Sequence, residues 1–204
     1  IRDRILDEPE KMELKDGCEI GRVFYEANAE WDYIRYVMKT VDCDFKGIKV
    51  AIDCANGSAS RVAPKLFEGL GASCVFIHNE PDGTNINENC GSTHIEDLQK
   101  TVVEKKCDLG LAFDGDADRC LAVDENGQLI DGDKLLAIFS KFMKVQGKLK
   151  SNTCVVTVMS NLGFFKFAEN EGISATTTAV GDRYVLERMQ KFGYNPVSYT
   201  HLRA

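Results

Sequence analysis

Apolar residues in this chain fall into two alternating patterns: short unbroken runs, and longer stretches in which they recur every three or four positions. Ile48 to Cys54, Ser73 to Ile77 and Leu109 to Phe113 are apolar along nearly their whole length. Such runs predict strands covered on both faces, because a strand with one wet face would alternate with polar residues. Between them, a helix follows the turn Asn56-Gly57-Ser58 and continues through Phe67 and Leu70, and another spans about Ile95 to Lys105 after a long polar loop, 79–93. An amphipathic helix at about Asn28 to Lys39 precedes the first strand. This β-α-β-α-β order predicts the α/β class, with a mainly parallel sheet flanked by helices.

The pattern then repeats in part. Asp133 stands where a helix cap would, ahead of Leu135, Leu136, Ile138, Phe139, Phe142 and Met143 at helical spacing. These large apolar residues are expected to be core. Residues 146–150 read as a linker, after which Val155 to Val158, a helix from Leu162 to Glu171 and a strand from Ser174 to Thr178 predict a partial second α/β unit of the same type.

Composition narrows the function classes. At 204 residues the chain has room for one or two domains, and 44% hydrophobic with 28% charged residues is ordinary for a soluble protein. A formal charge of −7 is the wrong sign for a surface that grips a phosphate backbone, so no nucleic-acid partner is expected. No apolar run approaches a membrane span, and the charged opening Arg2-Asp3-Arg4 does not resemble a signal peptide. The eight cysteines are scattered singly without a Cys-x-x-Cys pair and read as reduced thiols, which points to the cytoplasm.

The chemistry concentrates in Asp114-Gly115-Asp116-Ala117-Asp118-Arg119, directly after the third strand. Two carboxylates about 4 Å apart repel by roughly 4 kcal/mol at an effective dielectric of 20, so three on one loop call for full solvation or a cation. Small residues between them allow convergence, and hard oxygen ligands suit Mg²⁺ or Mn²⁺. Arg119 adds an anion-binding group beside that cation, a pairing suited to a phosphoryl group. Three other readings compete. A solvated turn explains acidic residues at a strand end but not three of them. A calcium EF-hand aligns Asp114, Asp116, Asp118 and Glu125, yet places Arg119 where glycine is required and strands where helices belong. A haloacid-dehalogenase-type phosphatase would use Asp114 as nucleophile and Asp116 as general acid, although Asp118 replaces the Thr or Val expected there.

The acidic hexapeptide resembles that of the α-D-phosphohexomutases, and it is accompanied by Pro81-Asp82-Gly83-Thr84-Asn85-Ile86-Asn87, Cys90-Gly91-Ser92-Thr93, Val123-Asp124 with Asp131-Gly132-Asp133, Met159-Ser160-Asn161 and Val180 to Glu187. Their order and spacing agree from about Gly21 to Asn195. The resemblance is strongest to members acting on glucosamine phosphates, with mannose or glucose phosphates as the alternative substrates. It implies a four-domain enzyme, of which residues 1–27 would be the end of the first domain and its linker, 28–148 the metal-binding domain, 149–195 part of the third, and 196–204 a tail outside the family pattern.

By that resemblance, a phosphoserine donates its phosphate to a hexosamine phosphate and recovers one from the other position of the bisphosphate. Asp114, Asp116 and Asp118 would hold Mg²⁺, and Arg119 would steady the phosphate as a catalytic residue. The serine belongs to a Ser-His-Asn loop expected upstream, so this chain alone should be inactive. Gly172-Ile173-Ser174-Ala175 begins like that loop but lacks its continuation, and Ser174 reads as a strand residue. Arg183 is a substrate-binding candidate, against the simpler reading of a helix start capped by Asp182. Ser160 and Asn161 either bind an anion or cap a helix. His78 and His94 lack ligand spacing and read as structural. Full-length relatives can form homodimers through the first domain.

Overall fold

The computed structural model describes residue 11 and residues 15–195, so the tail 196–204 lies outside the described residues. Two units divide at Tyr33/Ile34. In the first, a one-turn 3-10 helix spans Gly17–Glu19 and the described side chains are almost all exposed. Helix α1 spans Ala29–Met38.

The second unit carries the three apolar runs as β1 (Lys49–Asp53), β2 (Ser73–Ile77) and β3 (Leu109–Phe113), with α2 (Ala59–Gly69) and α3 (Glu96–Lys105) between them. β2, β1 and β3 are parallel neighbours, while β4 (Cys120–Asp124) and β5 (Leu129–Ile130) extend the sheet antiparallel in the order β2-β1-β3-β4-β5. Alternate side chains of each strand serve opposite faces. Val50 and Ile52 join Ala59 and Ala63 of α2, with Leu109 and Leu111 packed against them; Ala51 and Ala112 join Leu98 and Val102 of α3. Helices on both faces therefore explain why these strands read as continuous apolar runs.

β6 (Thr153–Thr157) and β7 (Ser174–Thr178) form a parallel pair. One face is covered by α4 (Gly132–Val145) and α5 (Leu162–Asn170), where Leu136, Leu149, Cys154, Val156 and Phe164 share a core; α6 (Asp182–Phe192) covers the other through Val155, Val185 and Met189. Ser174 opens β7. Two expectations need correction. Asp131, not Asp133, caps α4, its side chain accepting from Lys134 N. Of the apolar residues on α4, Leu136 is buried, whereas Ile138, Phe139 and Phe142 are 54%, 43% and 60% exposed, because no described element covers that side of the helix.

A candidate metal centre at the carboxyl ends of the strands

The loops that follow β1, β2 and β3 all emerge at the carboxyl edge of the sheet, the edge at which open α/β sheets bind ligands. Asp114 begins the loop between β3 and β4. Its backbone N–H donates to Arg119 O (3.3 Å), and its own carbonyl accepts from Ala117 N (3.0 Å), so the loop closes on itself. Ala117 takes the left-handed backbone conformation, φ +58°, which brings the flanking side chains round to one side. One carboxylate oxygen from each of Asp114, Asp116 and Asp118 lies within 4.8 Å of the others. An octahedral Mg²⁺ bonded at about 2.1 Å spaces its oxygens by roughly 3 to 4 Å, so modest side-chain rotation fits the set to one ion. The donor set is all hard oxygen, as the sequence pattern implied.

Electrostatics favours a cation here. Partial desolvation, then the charges of Asp114 and Asp116, hold the Asp118 carboxyl above its ordinary range, against the pull of Arg119. Arg119 Nε stands 3.7 Å from both Asp114 Oδ2 and Asp118 Oδ1. These are long pairs, with Arg119 and Asp118 exposed and Asp114 mostly covered, that a divalent ion can displace, leaving the guanidinium free for an anion. The flanking elements are the strands β3 and β4, which disposes of the EF-hand reading.

Two neighbouring loops hold the acidic loop from behind. Ser58 N–H donates to Gly115 O (2.8 Å), and Gly57 lies so close that a Cβ there would sit 2.3 Å from the same oxygen. From the other side, Asn87 Nδ2 and Ile86 Cδ1 would each be 2.7 Å from a Cβ on Gly115. Of nine non-glycine residues with positive φ among the described residues, six (Ala55, Asn56, His78, Asn87, Asn89 and Ala117) belong to these three loops. Backbone strain is thus concentrated at the site, at about 1 kcal/mol or more per residue.

Sequence reasoning passed over a buried group beneath the loops. Asp53, the last residue of β1, is fully buried. Its carboxylate accepts from Ala55 N (2.8 Å), Gly91 N (2.9 Å) and His78 Nδ1 (3.0 Å), while His78 Nε2 faces Asp97 Oδ2 at 3.5 Å. The sequence signal was an acid closing the apolar run Val50-Ala51-Ile52. His78 is therefore an anchored residue, while His94 is exposed. Cys90 also lies within 4.8 Å of this pair, but the Asp53 oxygens are already engaged by three protein donors, so the group is a hydrogen-bonded knot and not a second cation site.

The remaining candidates stand at the carboxyl edge of the smaller sheet. Asn161 caps α5, its side chain accepting from Phe164 N (3.0 Å), and its own N–H donates to Asp133 Oδ2 (3.1 Å). Ser160 is buried. Arg183 is the second residue of α6, its Nε 2.7 Å from Glu187 Oε1. The cap of α6 is Gly181, φ +137°, and not Asp182, which is already the first helical residue.

The chain matches family models of phosphoglucomutase/phosphomannomutase, alpha/beta/alpha domain II over residues 31–127 and domain III over residues 131–197. It is 55% identical over 194 residues to a phosphoglucosamine mutase of Acetivibrio thermocellus, covering 95% of this chain and 43% of that protein. A phosphoglucosamine mutase of Clostridium acetobutylicum is 55% identical over 185 residues, covering 91% of this chain and 41% of its own length. The chain therefore spans about two fifths of the curated relatives it matches. Among solved structures, a phosphoglucomutase/phosphomannomutase family protein from Burkholderia thailandensis superposes with TM-score 0.69 at 24% identity, over 81% of this chain and 36% of that one, a likeness of fold alone.

Proposed function

The chain belongs to the phosphoglucomutase/phosphomannomutase family, and on that premise we propose that it contributes the metal-binding domain and domain III residues of an enzyme interconverting glucosamine 6-phosphate and glucosamine 1-phosphate. The observation that carries the reading is the convergence of the Asp114, Asp116 and Asp118 carboxylates beside Arg119. The choice of an amino sugar rests on the names of the relatives at 55% identity.

Asp114, Asp116 and Asp118 would hold Mg²⁺, which when bound neutralises charge on a phosphoryl oxygen. Arg119 supplies donors from the same loop and orients the phosphoryl group. Arg183, at the start of α6, is the candidate contact to the sugar phosphate, and swinging toward an anion would break its exposed pair with Glu187. The serine phosphate passes to the free sugar hydroxyl, and the phosphate at the other position returns to the serine, so nothing is gained or lost overall. The Ser-His-Asn tripeptide of the phosphorylated loop does not occur in these 204 residues. The phosphoserine is accordingly supplied from outside them, and the 204-residue chain alone should show no turnover. Among the described residues, no helix is long and apolar enough to cross a membrane.

The test is an assay of the full-length protein carrying this segment. Expected are Mg²⁺-dependent interconversion of the two glucosamine phosphates, loss of turnover on chelation, and a fall in kcat of at least about 100-fold in Asp116→Asn, the scale on which removing one electrostatic stabiliser of a transition state acts. Turnover indifferent to chelator, or inorganic phosphate as the only product, would sink the proposal.

A further inference from the structure

We propose that Asp53 is a positioning residue for the acidic loop, and that His78 fixes the Asp53 carboxylate in the orientation this requires. The inference rests on the metal reading of the loop above. Asp53 holds none of the converging oxygens itself; it acts through two backbone segments. Its Oδ1 accepts from Ala55 N, at the start of the loop after β1, and its Oδ2 from Gly91 N, at the end of the long loop after β2. Those segments are also joined directly, Asn87 N–H donating to Ala55 O (2.9 Å). One buried carboxylate thus ties 54–58 to 87–91.

The tied segments are the ones that enclose the backbone on either side of Asp114. Gly91 lies against Phe113, the residue before it; a Cβ on Gly91 would stand 2.5 Å from Phe113 O and 2.6 Å from Ala55 Cβ. Ser58 N–H holds Gly115 O, and Asn87 lies against the Gly115 Cα, on the residue after it. Asp114 is therefore clamped from Phe113 and from Gly115 by loops whose relative placement depends on Asp53. The same loops hold Ala55, Asn56, Asn87 and Asn89 at positive φ, conformations that persist only where surrounding contacts enforce them. His78 completes the enforcement by donating from Nδ1 to Asp53 Oδ2, with Asp97 of α3 on its other nitrogen. A small cation that demands near-ideal ligand geometry is sensitive to this placement.

The experiment measures Mn²⁺ affinity of the 204-residue chain by electron paramagnetic resonance, together with the urea midpoint, for the wild type and for Asp53→Asn, His78→Ala, His78→Asn and Asp116→Asn. Expected are at least tenfold weaker Mn²⁺ binding in Asp53→Asn and at least fivefold weaker binding in His78→Ala. His78→Asn should restore affinity to within twofold, since asparagine tolerates the φ of +46° and returns an amide donor near the Nδ1 position. A purely structural role would lower the urea midpoint and leave the affinity of the folded chain unchanged. Unchanged affinity in folded Asp53→Asn and His78→Ala, with Asp116→Asn still abolishing binding, overturns this inference and leaves the metal reading standing. If Asp53→Asn does not fold, the contrast between the two His78 variants decides. A wild-type chain that binds no Mn²⁺ overturns both.

Discussion

Gly57→Ala isolates the mechanical link between the loop after β1 and the acidic loop. Gly57 does not have a positive φ, so alanine is free to adopt its backbone and the effect is one of space alone. The added Cβ would lie 2.3 Å from Gly115 O, 2.7 Å from its Cα and 2.8 Å from its carbonyl carbon, all backbone atoms with no rotamer to escape into. Ordinary contact is about 3.5 Å, so the loops must part by roughly 1 Å. Overpacking of this kind costs about 1–3 kcal/mol. The Ser58 N–H···O Gly115 bond, lost in the same movement, contributes about 1 kcal/mol more. A loss of roughly 2–4 kcal/mol lowers Tm by about 5–15 °C in a chain of this length. Displacing Gly115 also displaces Asp114 and Asp116 on either side of it, and we expect at least tenfold weaker Mg²⁺ binding. Thermal scans with and without Mg²⁺, beside a Gly21→Ala control whose Cβ meets nothing within 4 Å, read both effects. A Gly57→Ala chain matching the control in Tm and in its response to Mg²⁺ would show that the two loops are not in mechanical contact.

Four further outcomes are expected. Asp116→Asn removes one of three mutually repelling charges, whereas the Arg119 pairs are to Asp114 and Asp118, so the metal-free chain should become more resistant to urea while losing its stabilisation by Mg²⁺; a less stable metal-free variant contradicts this. In the full-length protein Arg183→Ala should raise KM for the sugar phosphate about tenfold with Mg²⁺ affinity unchanged, and lysine should rescue only partly because it lacks the planar fork; equal KM values dismiss Arg183 as a substrate contact. Burial and the Asp53 charge push the Cys54 thiol up to about 12, and burial with Asp114 does the same to Cys120, while Cys18 and Cys43 are exposed. At pH 8 a thiol with that pKa is about one part in 10⁴ thiolate, so a thiol reagent should find Cys18 and Cys43 quickly and Cys54 and Cys120 only after unfolding. Because the folded chain favours protonated Cys54, this stability is full below the unfolded value near 9 and drains away as pH rises toward 12; an unfolding free energy flat between pH 8 and 11 contradicts the shift.

The parallel strands were legible because each packs apolar side chains on both faces, β2 as a half-buried edge strand. Ser73–Ile77 and Leu109–Phe113 have the limits their apolar runs suggest. The convergence of the Asp114, Asp116 and Asp118 carboxylates was legible because the three residues nearly adjoin in sequence and share one loop. What escaped depends on distance along the chain or on covering. Asp53, His78 and Gly91 meet across 25 and 38 residues, and nothing in their local pattern announces it. The left-handed Ala55, His78 and Ala117 are invisible because none is glycine. The caps at Asp131 and Gly181 were each misplaced, by two residues and by one, since an acid in the first turn and an acid at the cap favour the same helix end. Periodicity named an apolar stripe on α4 but carries no information about what covers it, and Phe142 is exposed.

Cation binding by the acidic loop is read most plainly in an anomalous difference map from crystals of this protein soaked in Mn²⁺, recorded at the manganese edge. One dominant peak is expected, bonded to carboxylate oxygens of Asp114, Asp116 and Asp118. A map empty at the loop after β3, or with its dominant peak elsewhere, would contradict it.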